Sequence, residues 1–150
     1  FRGVPLYPFG YGLSYTEFEY SQPSVDRASV PAGTDVQVCA DVKNAGSVES
    51  DEVVQVYLRD LEASVRVPQC QLAGFRRIRL KPGETAEVVF TISARQMALI
   101  DDHGGCILEP GAFRVFVGGS QPDKRSEELT GNPVPFVDFT VTGSPLKMRR

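Results

Sequence analysis

Hydrophobic and polar residues alternate along most of the chain. Val36, Val38, Ala40 and Val42 are interleaved with Gln37, Cys39, Asp41 and Lys43, and Ala86, Val88, Phe90 and Ile92 with Glu87, Val89, Thr91 and Ser93. Phe113, Val115 and Val117 repeat the pattern, as do Val137, Phe139 and Val141. A period of two sends alternate side chains to the same face, so each segment predicts a strand buried on one side. The run Val53-Val54-Gln55-Val56-Tyr57-Leu58 predicts a more central strand, and further strands are expected near Glu17–Ser21 and Leu72–Leu80. Pro31-Ala32-Gly33, Pro82-Gly83 and Pro110-Gly111 each precede a strand; proline fixes φ for a turn and glycine accepts positive φ. Asn44-Ala45-Gly46 is expected to reverse the chain. Only one turn or so near Ala94–Ile100 reads as helical. These signals predict an all-β fold, a two-sheet antiparallel sandwich of fibronectin type III or immunoglobulin type. Val38, Val54, Val56, Phe90, Val115 and Val117 are its expected core.

Both ends break the pattern. Residues 1–15 carry Tyr7, Phe9, Tyr11 and Tyr15 among Gly3, Pro5, Pro8, Gly10 and Gly12. This stretch is too irregular for a strand or helix and too apolar for a free linker. It reads as a connector with an interface role for Tyr7, Phe9, Tyr11 and Tyr15. Its partner surface is expected to belong mainly to missing domains, and in this chain two outcomes are open: folding back on the sandwich, or staying exposed and driving self-association. Residues 16–142 then form the domain, and 143–150 read as a solvated tail.

The 150 residues suit one domain with one core. Hydrophobic content of 41% and charged content of 23% exclude disorder across the whole chain. A net charge of −3 argues against a nucleic-acid partner. The basic group Arg76, Arg77, Arg79 and Lys81 would put Arg77 and Arg79 on one strand face, which reads as a solvated face ahead of a phosphate site. No apolar run reaches the roughly 20 residues of a membrane span. The first residue is Phe1, with no signal peptide ahead of it, which reads as a fragment or processed product. Cys39, Cys70 and Cys106 are odd in number and lack zinc-site spacing, so they read as free structural thiols, with one disulfide as the alternative.

Candidate chemistry is sparse. Asp101-Asp102 are neighbours beside Gly104-Gly105 and read as a turn, not as a carboxylate pair facing across a scissile bond. His103 has no identifiable partner and reads as an exposed turn residue. Asp51-Glu52 read as surface or turn. No nucleophile constellation, phosphate-cradling loop or metal cluster stands out, so no catalytic, cofactor-binding or metal-binding residue is expected in this segment. The chain has no Trp, which weakens a sugar-stacking platform without excluding Tyr or Phe.

A family resemblance rests on an ordered series of motifs. Pro5-Leu6-Tyr7-Pro8-Phe9-Gly10-Tyr11-Gly12-Leu13-Ser14-Tyr15-Thr16 closely resembles the stretch leading into the C-terminal fibronectin type III-like domain of family 3 glycoside hydrolases. Val42-Lys43-Asn44-Ala45-Gly46, Asp51-Glu52-Val53-Val54-Gln55-Val56-Tyr57, Leu72-Ala73-Gly74-Phe75-Arg76-Arg77-Ile78, Leu80-Lys81-Pro82-Gly83-Glu84-Thr85 and Glu109-Pro110-Gly111 follow in the family's order. Around Cys106-Ile107-Leu108 the chain lacks the aromatic, often tryptophan, that the family places nearby. The resemblance implies a parent enzyme that removes terminal sugars from β-glycosides with retention, using carboxylates in domains upstream of this segment. It also implies a secreted or periplasmic setting. The expected role is that of a non-catalytic accessory module with the parent's catalytic domains as partner. The alternative is a β-sandwich with its own affinity for carbohydrate or a surface.

Overall fold

The computed structural model describes residue 3 and residues 5–148; the connector's Phe1, Arg2 and Val4 and the tail's Arg149 and Arg150 lie outside the described residues. Two sheets pack face to face. In the first, β4 (Val36–Asn44) pairs along one edge with β1 (Phe18–Tyr20) and β2 (Ser24–Val25), and along the other with β7 (Thr85–Ile92). The second runs β3-β11-β10-β5-β6, built from β3 (Ser29–Pro31), β5 (Ser50–Asp60), β6 (Gln71–Leu80), β10 (Gly111–Gly118) and β11 (Phe136–Thr142). Its pairs are antiparallel except β3 with β11, which is parallel. A small third sheet joins β8 (Leu99–Ile100), β9 (Cys106–Leu108) and β12 (Leu146–Lys147).

The core follows the sequence alternation. Val36, Val38, Ala40 and Val42 of β4 and Val88, Phe90 and Ile92 of β7 face Val54 and Val56 of β5, Phe113, Val115 and Val117 of β10, and Phe139 and Val141 of β11. All six expected core residues are buried. Phe113 and Phe139 are direct cross-strand partners and stack with centroids 5.6 Å apart.

β5 is central, between β10 and β6, and from Val54 to Leu58 it is buried on both faces. Asp51 and Glu52 belong to this strand and not to a turn. β6 is one edge of this sheet, and charge protects it. Arg77 bonds to Asp51, and Arg79 Nε donates to Glu49 Oε1 at 2.9 Å, so the basic face meets acid from the same protein. The Arg76 guanidinium lies 5.8 Å from the Phe90 ring centroid.

Three expectations need correction. Residues 94–97 form a turn, with Gln96 N–H donating to Ser93 O, but Leu99 and Ile100 leave it as strand β8. Helix α1 (Lys124–Thr130) has no apolar periodicity; caps define it instead. Asp123 accepts from Ser126 N, and Gly131, at φ 76°, closes the other end. The presumed solvated tail contributes β12, which pairs with Leu108 and Ile107, and Met148 N–H donates to Cys106 O at 2.8 Å. Its side chains carry little burial, so backbone pairing holds it, which periodicity cannot reveal. All three cysteines are free thiols.

Asn44 ends β4 with a fully buried side chain. Its Nδ2 donates to Val48 O at 2.8 Å and Leu80 O at 3.0 Å, while Oδ1 accepts from Thr16 Oγ1 at 2.6 Å and Gly46 N at 3.1 Å. Two donors and two acceptors are therefore all used. The turn does not make a hairpin; it carries the chain from the first sheet to the second. Asn44→Asp turns two donors toward carbonyls into acceptors. We expect it to destabilise the fold by about 3 kcal/mol or more at neutral pH, from several buried bonds lost together. The buried carboxyl's pKa would lie above its unfolded value, so the variant should recover stability in acid and lose it as pH rises through the folded pKa. Urea unfolding at pH 4 and pH 8 checks both magnitude and sign.

Candidate docking interface

The outer face of the second sheet carries Gln55 and Tyr57 in β5 and Phe116 in β10, all buried, though they point away from the core. The connector and the segment around α1 lie against this face. Gln55 Nε2 donates to Gly10 O at 3.2 Å and to Gly119 O at 2.8 Å, and its Oε1 accepts from the Tyr57 hydroxyl at 2.6 Å. Gln121 N–H donates to Phe9 O at 3.0 Å, and Arg125 Nε to Leu6 O at 3.1 Å. Gly10 has φ 77°, and an added Cβ would sit 2.1 Å from Gln55 Oε1. Glycine is thus required there twice, for the backbone and for the contact.

The connector therefore folds back on the sandwich, and it does so through its backbone. Its side chains point elsewhere. Pro8 is buried and Tyr11 half-buried, but Tyr7 and Phe9 keep 62% and 64% of their surface exposed and Tyr15 95%. Tyr7 and Tyr11 stack with ring centroids 5.8 Å apart and planes 6° from parallel. Phe9 and Tyr15 make no such ring contact among the described residues. Leu6 and Leu13 were missed by an aromatic count; they are 73% and 93% exposed on the same segment. Val53 and Phe75, on the outer face of β5 and β6, extend the exposed apolar set.

The connector, the start of β5 and residues 118–135 enclose an open trough of about 720 Å³. Glu52 and Tyr20 form part of its lining. Glu52 is in phase with Val54 and Val56, so it points between the sheets, at the end of the sandwich. Burial, the leading cause, holds its carboxyl above the usual carboxylate range, against a hydrogen bond from Val53 N. Burial first, and the Glu52 charge second, hold the Tyr20 phenol far above its ordinary value. The Tyr20 hydroxyl faces Glu52, and the contact between them raises the phenol and lowers the carboxyl. Elsewhere, burial pushes Tyr57 up to about 12, with Cys70 and Asp123 adding to the shift.

The residues weighed for chemistry stay apart from this region or remain structural. Asp101 Oδ1 accepts from His103 N at 3.0 Å and Gly105 N at 2.6 Å, so the acidic pair and the histidine make a turn. Among the described residues no cluster of His, Cys, Asp and Glu could hold a metal ion, and no helix is long and apolar enough to cross a membrane.

If Gln55 is the latch, Gly10→Ala should release the connector and leave the core intact. Amide exchange at Tyr11 and Gln121 should then quicken at least about tenfold, the equivalent of one ordinary hydrogen bond, while the amides of β4 and β10 keep their protection. Unchanged exchange at Tyr11 and Gln121 would show that the connector is held by something else.

Comparison with known proteins places this geometry. Residues 52–121 match the fibronectin type III-like domain family. A β-xylosidase of Formosa agariphila is 45% identical over 85% of this chain and 18% of its own length. Thermostable β-glucosidase B of Acetivibrio thermocellus is 42% identical over 81% of this chain and 16% of its own. The crystal structure of a β-glucosidase from Listeria innocua in complex with glucose superposes with a TM-score of 0.81 at 32% identity, covering 97% of this chain and 19% of that one. The chain thus spans less than a fifth of the length of these relatives. It is a fibronectin type III-like domain of the kind carried by family 3 glycoside hydrolases.

Proposed function

We propose that the chain is the non-catalytic C-terminal accessory module of a longer β-glycosidase acting on terminal β-linked sugars, and that it positions the catalytic domains. One observation carries this reading. The connector is pinned to the sandwich by its backbone, while Leu6, Tyr7, Phe9, Leu13 and Tyr15 project outward. A segment that only linked domains would gain nothing from being held rigid with its apolar side chains in water. A rigid apolar surface suits docking, because its ordering entropy is already spent before the partner arrives. The partner is the catalytic part of the same parent chain, and Tyr7, Phe9, Tyr11 and Tyr15 are its contact residues. The alternative, a module with its own carbohydrate affinity, has less support, since Tyr7 and Tyr11 already use one ring face on each other.

Two outcomes test the proposal. The 150-residue chain should not hydrolyse aryl β-glucosides or β-xylosides; turnover that copurifies with it and vanishes on changing Asp101 or Asp102 would overturn it. In the parent enzyme, Leu13→Ser with Tyr15→Ser should loosen the module. Each exposed side chain would bury roughly 1.5–3 kcal/mol worth of surface on docking. Hydrogen exchange across residues 7–15 should therefore be slower in the parent than in the isolated chain, and the double variant should erase the difference. Equal exchange in parent and isolated chain would show that the segment serves this domain alone.

A further inference from the structure

Helix α1 is an addition that the core does not use. The β10–β11 connection runs over residues 119–135, where roughly two to five residues would close a hairpin. Ser126 is the buried residue of its helix, which brings no apolar stripe to the sandwich. The connection is nevertheless built to one conformation. Asp123 and Gly131 cap the helix, and Thr130 Oγ1 donates to Ser126 O at 2.8 Å. Val117 N–H donates to Pro135 O at 3.1 Å, where the connection rejoins the sheet. Pro122, Pro133 and Pro135 cut the freedom that the unfolded segment would otherwise lose. A long connection that is ordered without serving the core is held for another purpose.

What the helix and its flank hold is the connector. Arg125 Nε donates to Leu6 O, and the Gln121 amide donates to Phe9 O. From the sheet side, Gln55 Nε2 donates to Gly10 O. Arg125 is itself steered, since its Nη1 donates to Glu128 Oε2 at 3.1 Å, three residues further along the helix. Gln55 alone would pin one point, about which the preceding residues could swing. A second hold at Leu6 removes that freedom, because the short span between two fixed carbonyls has few courses to take. Within the span Pro8 turns inward and is buried, while Tyr7 turns outward. Tyr7 and Tyr11 then stack across the Gln55 latch, one ring from each side of Gly10. That stack requires the chain to be held on both sides, and Arg125 supplies the hold before the latch.

We infer that α1 is a clamp for the connector, and that Arg125, steered by Glu128, is the positioning residue that sets the outward direction of Leu6, Tyr7 and Phe9. Gln55 fixes where the connector lies, and Arg125 fixes which way its apolar side chains face. The use of that direction rests on the docking role proposed above. The clamp itself acts in the isolated chain, before any partner is present.

Arg125→Met keeps the aliphatic stem and removes the donors. In the isolated 150-residue chain the Tyr7 and Tyr11 ring resonances should move toward those of unstacked tyrosine. Exchange of the Gln121 amide should quicken about tenfold, the equivalent of one ordinary hydrogen bond. The melting temperature and the protection of β4 and β10 should hold, because the core does not use the helix. Arg125→Lys restores a donor on a similar stem without the planar fork, so it should recover part of the ring shift. Unmoved ring resonances and unchanged Gln121 exchange would overturn the inference. A matching loss of protection in β10 would overturn it too, by making α1 a support of the core. In the parent enzyme, Arg125→Met should remove most of the slowing of exchange that docking brings to residues 7–15. Full slowing there, with the stack lost in the isolated chain, would show that docking needs no preset direction and would also overturn the inference. If parent and isolated chain exchange alike before any substitution, while Arg125→Met still breaks the stack, the docking role falls and the clamp stands.

Discussion

The side chain of Asn44 joins parts of the molecule that would otherwise meet only through apolar packing. It ties the end of β4 to Leu80 at the end of β6, to its own turn through Val48 and Gly46, and to Thr16, the first residue after the connector. Its backbone adds two more bonds, receiving from Gly83 N and donating to Glu84 O. Hydrophobic contact between two sheets is tolerant of sliding, because apolar surface has no direction. A buried amide has direction in all four of its bonds, so the sheets can align in only one way without leaving a polar atom unsatisfied. The start of β1 inherits its position from this point, since Phe18 is the register partner of Asn44. The route of the connector into the domain follows from it.

A second amide does for the connector what Asn44 does for the sheets. Gln55 sits in the middle of an otherwise hydrophobic strand and faces outward, away from the core. Its alternation phase would put it in solvent; Gly10 and Gly119 cover it instead. The sandwich thus has two built faces. One is the core between the sheets, and the other is a thin polar layer that holds the connector by its carbonyl groups. Backbone capture leaves the connector's side chains free, so Leu6, Tyr7, Phe9, Leu13 and Tyr15 stay exposed.

The fold was largely legible in the sequence because its main strands are long and buried on one face. β4, β7 and β11 alternate cleanly, β10 does so apart from the outward, buried Phe116, and the core residues read from them are buried. Elements held by other forces were not legible. β2, β3, β8, β9 and β12 are two or three residues long and are fixed by pairing, so no period can show them. Helix α1 depends on Asp123 and Gly131, a capping signal present in the sequence but without an apolar stripe to support it. The aromatic connector was visible by composition, whereas its latch was not. Nothing local marks Gln55 as a partner for Gly10, 45 residues away.

Glu52 shows how a reading by residue type and a reading by phase can diverge. As one of two adjacent acids it looks like surface. As the residue two before Val54 and four before Val56, it must share their face. Asp51, one position earlier, turns outward and finds Arg77 across the pair of strands. The same alternation that builds the core therefore delivers one carboxylate to a cation on the β6 edge and the next to the mouth of the sandwich, beside Tyr20. Strand periodicity cannot be suspended for one residue, so a charge in phase with the core has to be met at the strand's end. The sandwich opens there into the trough, next to the segment that carries the exposed aromatics. Glu52 of β5 and Tyr20 of β1 come from different sheets, and a polar contact accepts few orientations where apolar contact alone would accept many, so the pair helps fix how the two sheets meet at this end.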